Sequence, residues 1–227
     1  MKLKICGMKY NPLEVAQLQP DYLGFIFWEP STRYVEGEIP ELPKSIKKVG
    51  VFVDASLEEV LEKIEEYELD AVQLHGKESP EYCQKLRHAE LVSASQKHET
   101  PKQVRGDKLE IIKVFSIKDD FDFAVLNAYE NLCDYFLFDT KGKLPGGNGY
   151  TFDWSILKDY PSTKPYFLSG GIGLDSMEKL QDFLASPTSQ YCYAIDVNSR
   201  FELEPGRKNI QGLKEFMNEL SPLKRGD

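Results

Sequence analysis

Short apolar runs alternate with longer amphipathic runs along most of this chain. In chain order the apolar runs are LKIC, YLGFIF, KKVGVFV, AVQLH, EIIKVFSI, YFLFD, PYFLSGG and YAIDV. Nearly continuous apolar runs are typical of strands covered on both faces, and alternation with helices indicates parallel pairing. Eight strand–helix units predict an α/β fold, a single (β/α)8 TIM barrel. A doubly wound open sheet is the alternative, but it usually has a glycine-rich turn where this chain has only CGMK.

Two parts of the chain fit this alternation of strands and helices less well. The second predicted helix, near Glu41–Lys44, is the weakest of the eight. The segment His88–Lys108 is polar and longer than most helix-to-strand loops. We expect one barrel domain over residues 1–227 with an exposed, flexible insertion at 88–108. Such a loop would lie on the barrel face opposite the active site, so we expect no catalytic role for it.

Charge and composition narrow the classes of partner. The formal net charge is -9, which argues against binding to nucleic acid or to an anionic membrane. There is no run of about 18 apolar residues and no signal-peptide pattern, so we expect a cytoplasmic protein. The four cysteines are widely spaced and only three histidines are present, so we expect no metal site. The oligomeric state, monomer or homodimer, stays open.

Polar residues stand at the carboxyl ends of several predicted strands, where barrel enzymes place their active sites. They are Cys6, His75, Asp139 and Asp196. His75 is as well explained as a wall of the site as by a catalytic role. Asp196 is equally well explained by contact with a ligand or by ordering of the loops.

Two glycine-rich stretches predict a binding site for a phosphorylated small molecule. Leu144–Trp154 contains Gly146 and Gly147, and Ser169–Gly173 contains Gly170 and Gly171. Glycine lets backbone N–H groups approach an anion, and barrels often hold phosphate in the loops after strands 7 and 8.

Taken together and in order, several motifs resemble phosphoribosylanthranilate isomerase of tryptophan biosynthesis. They are KICG, GFIFWEPSTRYV, VGVFVD, VQLHG, FDTKGKLPGGNGYTFDW, SGGI and AIDVNSRFELEPGRKN. The resemblance implies a (β/α)8 barrel that needs no cofactor. It implies an Amadori rearrangement of N-(5-phosphoribosyl)anthranilate to 1-(o-carboxyphenylamino)-1-deoxyribulose 5-phosphate.

The resemblance also assigns roles to individual residues. It implies that Cys6 is the general base, that Asp139 is the general acid and that Arg33 holds the substrate near its anthranilate part. The phosphate cradle would comprise the two glycine-rich loops and the turn that contains Asn198 and Ser199. Many family members have Ser-Ser-Gly in that turn, whereas this chain has Arg200 at the glycine position.

The proposed base raises a question of ionisation. A free cysteine has a pKa of about 8.5, so a nearby cation must lower it if much thiolate is to exist at pH 7. Arg33 and Lys9 are the candidate cations, and Gly7 is expected to leave room for substrate above the thiol.

Two other functions remain open on the sequence. A histidine-pathway aminoaldose isomerase would perform the same rearrangement on another substrate. That family uses aspartates at the ends of strands 1 and 6, where this chain has Cys6 and Asp139. A non-catalytic barrel that binds a phosphorylated metabolite would need neither an acid nor a base.

Overall fold

The computed structural model describes residues 1–96, 108–118, 120–140 and 152–221. Eight parallel strands pair in chain order, and the eighth pairs with the first to close a barrel. The predicted (β/α)8 TIM barrel is therefore confirmed. The strands are β1 (Lys2–Ile5), β2 (Tyr22–Ile26), β3 (Lys47–Phe52), β4 (Ala71–Leu74), β5 (Glu110–Ile117), β6 (Tyr135–Thr140), β7 (Tyr166–Leu168) and β8 (Cys192–Val197).

The connections are less regular than the strands. The α-helices are α1 (Pro12–Ala16), α2 (Leu57–Tyr67), α3 (Pro80–Gln96), α4 (Met177–Ala185) and α5 (Ile210–Leu220). The helix expected near Glu41–Lys44 is absent, because those residues form an irregular connection. Short 3-10 helices, Phe123–Ala128 and Trp154–Asp159, occupy the next two irregular connections. Among the described helices, none is both long and apolar enough to cross a membrane.

Two further features differ from the expected pattern. Helix α3 continues to Gln96, so its backbone extends into the segment that begins at His88. Residues 97–107 of that segment lie outside the described residues. After β8 the chain forms a small antiparallel hairpin of β9 (Glu202–Glu204) and β10 (Arg207–Lys208), which the sequence did not predict.

The amino end of the barrel is filled by an apolar and aromatic plug. Its members include Tyr22, Val49, Ala71, Ile112, Leu137, Phe167 and Ala194. The rings of Tyr135 and Tyr193 stack 4.7 Å apart, and the Tyr22 hydroxyl donates to Glu110 Oε2 (3.2 Å). This plug leaves only the carboxyl end of the barrel interior open.

The interior register becomes polar towards that open end. Side chains alternate between the two faces of a strand, so the residues two positions beyond the plug also face inward. On β4 the inward-facing residue after Ala71 of the plug is the polar Gln73, and on β8 the inward-facing residue after Ala194 is Asp196. On β1 it places Lys4 inside the barrel, as the register partner of Asp196.

A buried ion pair fixes the loop that follows β4. Lys113 Nζ lies 2.9 Å from Glu78 Oε2 and also donates to the Gly76 carbonyl (2.9 Å), and both charged side chains are buried. Glu78 Oε1 accepts from the backbone N–H groups of Asp54 (2.9 Å) and Gly76 (3.0 Å). These bonds join the loops after β3 and β4, and the second loop carries His75.

We expect Lys113→Met to lower the free energy of unfolding by about 3 kcal/mol, because it leaves the buried Glu78 carboxylate without its cation. Lys63→Met is the matched control, since Lys63 pairs with Glu66 at the protein surface and such pairs contribute little. Urea denaturation measures both. Equal losses in the two variants would contradict this account.

Candidate active site

A cleft opens at the carboxyl ends of the strands. It brings together most of the residues that the sequence singled out: Cys6, Arg33, His75, Asp139, Gly170, Gly171, Asp196, Asn198 and Ser199. Gly146 and Gly147, the other two predicted residues, lie outside the described residues. The rule that barrel sites form at strand ends thus located the described candidates in one cleft.

Cys6 follows β1 directly, and its position is set by the two neighbouring strands. Its backbone N–H donates to the Val197 carbonyl of β8 (2.8 Å). On the other side, β2 carries a glycine, Gly24, where a Cβ would lie 2.8 Å from Cys6 Sγ. The missing side chain of Gly24 therefore provides the space for the thiol.

The cation beside Cys6 is Lys4, which the sequence reasoning missed. Lys4 and Cys6 are two residues apart, so both face the barrel interior. Lys4 Nζ lies 2.9 Å from Asp196 Oδ1, both side chains are buried, and the positive charge of Lys4 acts on the thiol of Cys6. Arg33 and Lys9 have other partners: Arg33 pairs with Glu202, and Lys9 Nζ lies over the ring of Tyr10. The sequence did contain a signal for this contact, because Lys4 stands two residues before Cys6 in the LKIC run and so lies on the same face of the strand.

Burial and charge act in opposite directions on the thiol. Burial raises the pKa of Cys6, whereas the ammonium groups of Lys4 and Lys208 lower it, and the net shift is upward. For Lys4, burial lowers the pKa, but the negative charge of Asp196 and its hydrogen bond raise it, and the net shift is upward. Lys4 therefore stays cationic while the free thiol stays mostly protonated at neutral pH.

Asp139, at the end of β6, is held by its neighbours in one orientation. Its Oδ1 accepts from the Thr140 N–H (2.9 Å), and its Oδ2 lies 3.3 Å from His75 Nε2. Gln73 Nε2 lies 3.1 Å from His75 Nδ1. The side-chain amide of Gln73 therefore holds one ring nitrogen of His75, while the other ring nitrogen faces Asp139. Gln73 Oε1 is buried and has no partner within the described part of the chain.

Arg33 lies in the cleft with much of its hydrogen-bonding capacity already used. Its Nε and Nη2 contact the two carboxylate oxygens of Glu202 at 2.6–3.1 Å. Glu202 also accepts from Lys208 Nζ (2.8 Å), a buried lysine whose pKa burial lowers to about 8. A guanidinium has five N–H donors, so Arg33 retains donors on the side away from Glu202.

Gly7 has a different role from the one expected. Its φ is +75°, and a Cβ there would lie 2.5 Å from Asn198 Oδ1 and 2.8 Å from Arg33 Cδ. The space beside Gly7 is therefore filled by protein and is not left for a substrate. Asn198 also accepts from Lys208 Nζ (2.7 Å), so its side chain links the turn after β8 to the hairpin.

The loops after β7 and β8 line the cleft and carry backbone N–H donors. Gly170 and Gly171 both have positive φ (93° and 67°), and Gly170 packs so closely on Thr140 that a side chain would not fit. Within the described residues, no acceptor is recorded for the N–H groups of Gly170, Gly171 or Ser199. Free N–H groups on neighbouring loops suit an anionic ligand.

The fold and this cleft define a class: a (β/α)8-barrel protein whose cleft, at the carboxyl ends of the strands, is lined by a thiol, a carboxyl group and an arginine. The matching family model is that of N-(5'phosphoribosyl)anthranilate (PRA) isomerase, which matches residues 4–105 and 95–219. The N-(5'-phosphoribosyl)anthranilate isomerase of Parabacteroides distasonis is 42% identical, over 97% of this chain and 93% of the relative. That of Phocaeicola vulgatus is 38% identical, over 97% and 98%.

Solved structures agree with this match. The phosphoribosyl anthranilate isomerase of Thermus thermophilus superimposes with a TM-score of 0.76 at 25% identity, covering 98% of this chain and all of the other. A phosphoribosyl anthranilate isomerase in complex with reduced 1-(o-carboxyphenylamino)-1-deoxyribulose 5-phosphate gives 0.72 at 25% identity, covering 98% and 99%. The chain belongs to the N-(5'-phosphoribosyl)anthranilate isomerase family.

We expect Lys4→Met and Asp196→Asn to change the reactivity of Cys6 in opposite directions. Losing the cation raises the pKa of the thiol and slows its alkylation about tenfold at pH 8, whereas losing the neighbouring anion accelerates it. Iodoacetamide labelling followed by mass spectrometry of the Cys6 peptide measures this, with the Cys192 peptide as internal reference. Acceleration in both variants would indicate that the mutations open the cleft, and would contradict control by charge.

Proposed function

We propose that this protein isomerises N-(5'-phosphoribosyl)anthranilate to 1-(o-carboxyphenylamino)-1-deoxyribulose 5-phosphate, with Asp139 as general acid and Cys6 as general base. The observation that carries this proposal is the presence of a thiol beside a buried cation and of an oriented carboxyl group in one cleft. Membership of the isomerase family supports the substrate. A barrel that only binds its ligand would need neither group.

The anionic parts of the substrate orient the sugar between these two residues. We assign the phosphate to the N–H groups of Gly170, Gly171 and Ser199, with Gly146 and Gly147 as further candidates by resemblance. We assign the anthranilate carboxylate to the donors of Arg33 that Glu202 leaves free. Binding at both ends supports the reaction by positioning, which contributes several kcal/mol in well-oriented systems.

The first step opens the ribose ring. Asp139 gives its proton to the ring oxygen as the C1–O bond breaks, and the lone pair of the anthranilate nitrogen forms the C=N bond of a Schiff base. The free hydroxyl is then on C4. His75 lies against Oδ2 of Asp139 and the Thr140 N–H holds Oδ1, so the carboxyl group has one orientation during this transfer.

The second step moves the proton from C2. The Cys6 thiolate takes it, the electrons of the C–H bond form a C1–C2 double bond, and the iminium nitrogen becomes neutral. The resulting enolamine loses its C2 hydroxyl proton and gains a proton at C1, which gives the ketone. Lys4 stabilises the thiolate, so it is a positioning residue for the base.

We expect Cys6→Ser and Asp139→Asn each to lower kcat by about 10²–10⁴, the usual contribution of general acid or base catalysis. Both variants should retain binding of the reduced product, because neither side chain is assigned to the phosphate or the carboxylate. Turnover is followed by chromatography of substrate and product, and binding by titration calorimetry.

Cys192→Ser is the matched control for the cysteine. Cys192 begins β8, at the opposite end of the barrel from the cleft, and should keep full turnover. Equal loss of turnover and analogue binding in both cleft variants would contradict the acid–base assignment. An unmodified protein that binds the analogue without converting substrate would contradict the proposed reaction.

The pH dependence follows from the direction of the Cys6 shift. The active form of the Cys6–Asp139 pair holds one proton in total, so kcat/KM falls once the pair loses that proton, above the titration of Cys6. Since burial raises the pKa of Cys6, this fall should lie above about pH 8.5. Lys4→Met should move it to higher pH and lower the plateau. If kcat/KM falls at the same pH in Lys4→Met as in the unmodified protein, the fall does not come from Cys6.

A further inference from the structure

Arg200 stands in the turn after β8 and is one of the residues that line the cleft. The turn is a 3-10 helix, Ser199–Phe201, that is anchored from below. Phe201 is buried, and its ring packs 5.0 Å from that of Phe216 in α5. Arg200 therefore projects from a fixed piece of backbone.

The arginine connects the two loops that present free N–H groups. A Cβ on Gly173, in the loop after β7, would lie 3.0 Å from Arg200 Cβ and 3.2 Å from Cγ, so the side-chain stem crosses that glycine. Beyond it, Nη2 lies 2.6 Å from Asp175 Oδ2. Asp175 thus holds the guanidinium, and Arg200 lines the same cleft as Gly170, Gly171 and Ser199.

The charge on Arg200 is also the most available one among the described cations around the cleft. Lys4, Lys208 and Arg33 each pair with a carboxylate that is buried. The side chains of Arg200 and Asp175 are 40% and 61% exposed, and an ion pair between exposed groups contributes little. The guanidinium can therefore take a second acceptor, or exchange Asp175 for one, at small cost.

We propose that the Arg200 side chain binds the phosphate group of the substrate and that Asp175 orients it for this contact. This inference rests on the proposed function. A phosphate dianion offers oxygens both to the backbone N–H groups and to the planar donors of a guanidinium. In a chain with a net charge of -9, this side chain supplies local positive charge where the substrate is most negative.

The test compares Arg200→Gln with Arg207→Gln. Glutamine keeps most of the stem over Gly173 and removes the charge. Arg207 is the matched control, because it also pairs with an exposed carboxylate, Glu204 (2.8 Å; 43% and 57% exposed), but lies on β10 outside the cleft. We expect Arg200→Gln to raise KM about tenfold with kcat changed less than twofold, and Arg207→Gln to change neither.

Inorganic phosphate is the second probe, because its binding does not depend on turnover. Titration calorimetry should show that Arg200→Gln raises its Kd by a similar factor, and that the difference shrinks in 0.5 M NaCl. Asp175→Asn keeps the cation, so it should raise KM less than Arg200→Gln does.

Three other results would contradict either this inference or the proposed function. Unchanged KM and phosphate Kd in Arg200→Gln would overturn the inference. A parallel loss of kcat and thermal stability would assign Arg200 a structural role and also overturn it. If the unmodified protein converts no substrate but binds phosphate in an Arg200-dependent way, the proposed function fails while the phosphate contact stands.

Discussion

The ion pair between Lys4 and Asp196 is the interaction on which this site depends. It joins partner positions of β1 and β8 inside the barrel, where neither side chain meets solvent. Two isolated charges would be very unfavourable there, and each is tolerated because the other is present. The pair thereby places a permanent cation next to Cys6. The same low dielectric that makes the pair necessary also strengthens its effect on the thiol.

A thiol in this setting is balanced between two large effects. Burial favours the neutral form and the neighbouring ammonium groups favour the thiolate, with burial stronger in the free protein. The acid is arranged in another way, since Asp139 is oriented by hydrogen bonding and by a histidine that the side-chain amide of Gln73 contacts. Neighbouring charges therefore control the ionisation of the proposed base, and hydrogen bonds control the orientation of the proposed acid.

The phosphate end shows how an acidic protein can accept an anion. The cations deep in the cleft are held by two buried carboxylates, because Lys4 pairs with Asp196 and both Lys208 and Arg33 pair with Glu202. Backbone N–H groups of two loops supply partial charge, and Arg200 supplies a full one at the rim.

The periodicity of the sequence determined the eight strands, their parallel pairing and the end at which the cleft forms. Motif order determined the family and the described candidates Cys6, Arg33, Asp139, Gly170 and Ser199. These inferences succeed because burial imposes a local pattern, and because strand ends meet wherever a barrel closes. The prediction of a helix near Glu41–Lys44 was wrong, because it rested on local composition alone.

Only the tertiary structure decided which charges meet. Lys4 and Asp196 are 192 residues apart, and nothing local marks them as partners until β8 closes on β1. The same holds for Glu202 with Arg33, for Asp175 with Arg200, and for the contact that gives Gly7 its role. Charged side chains pair through space, because Coulombic attraction depends on distance and burial and leaves no periodic trace along the chain.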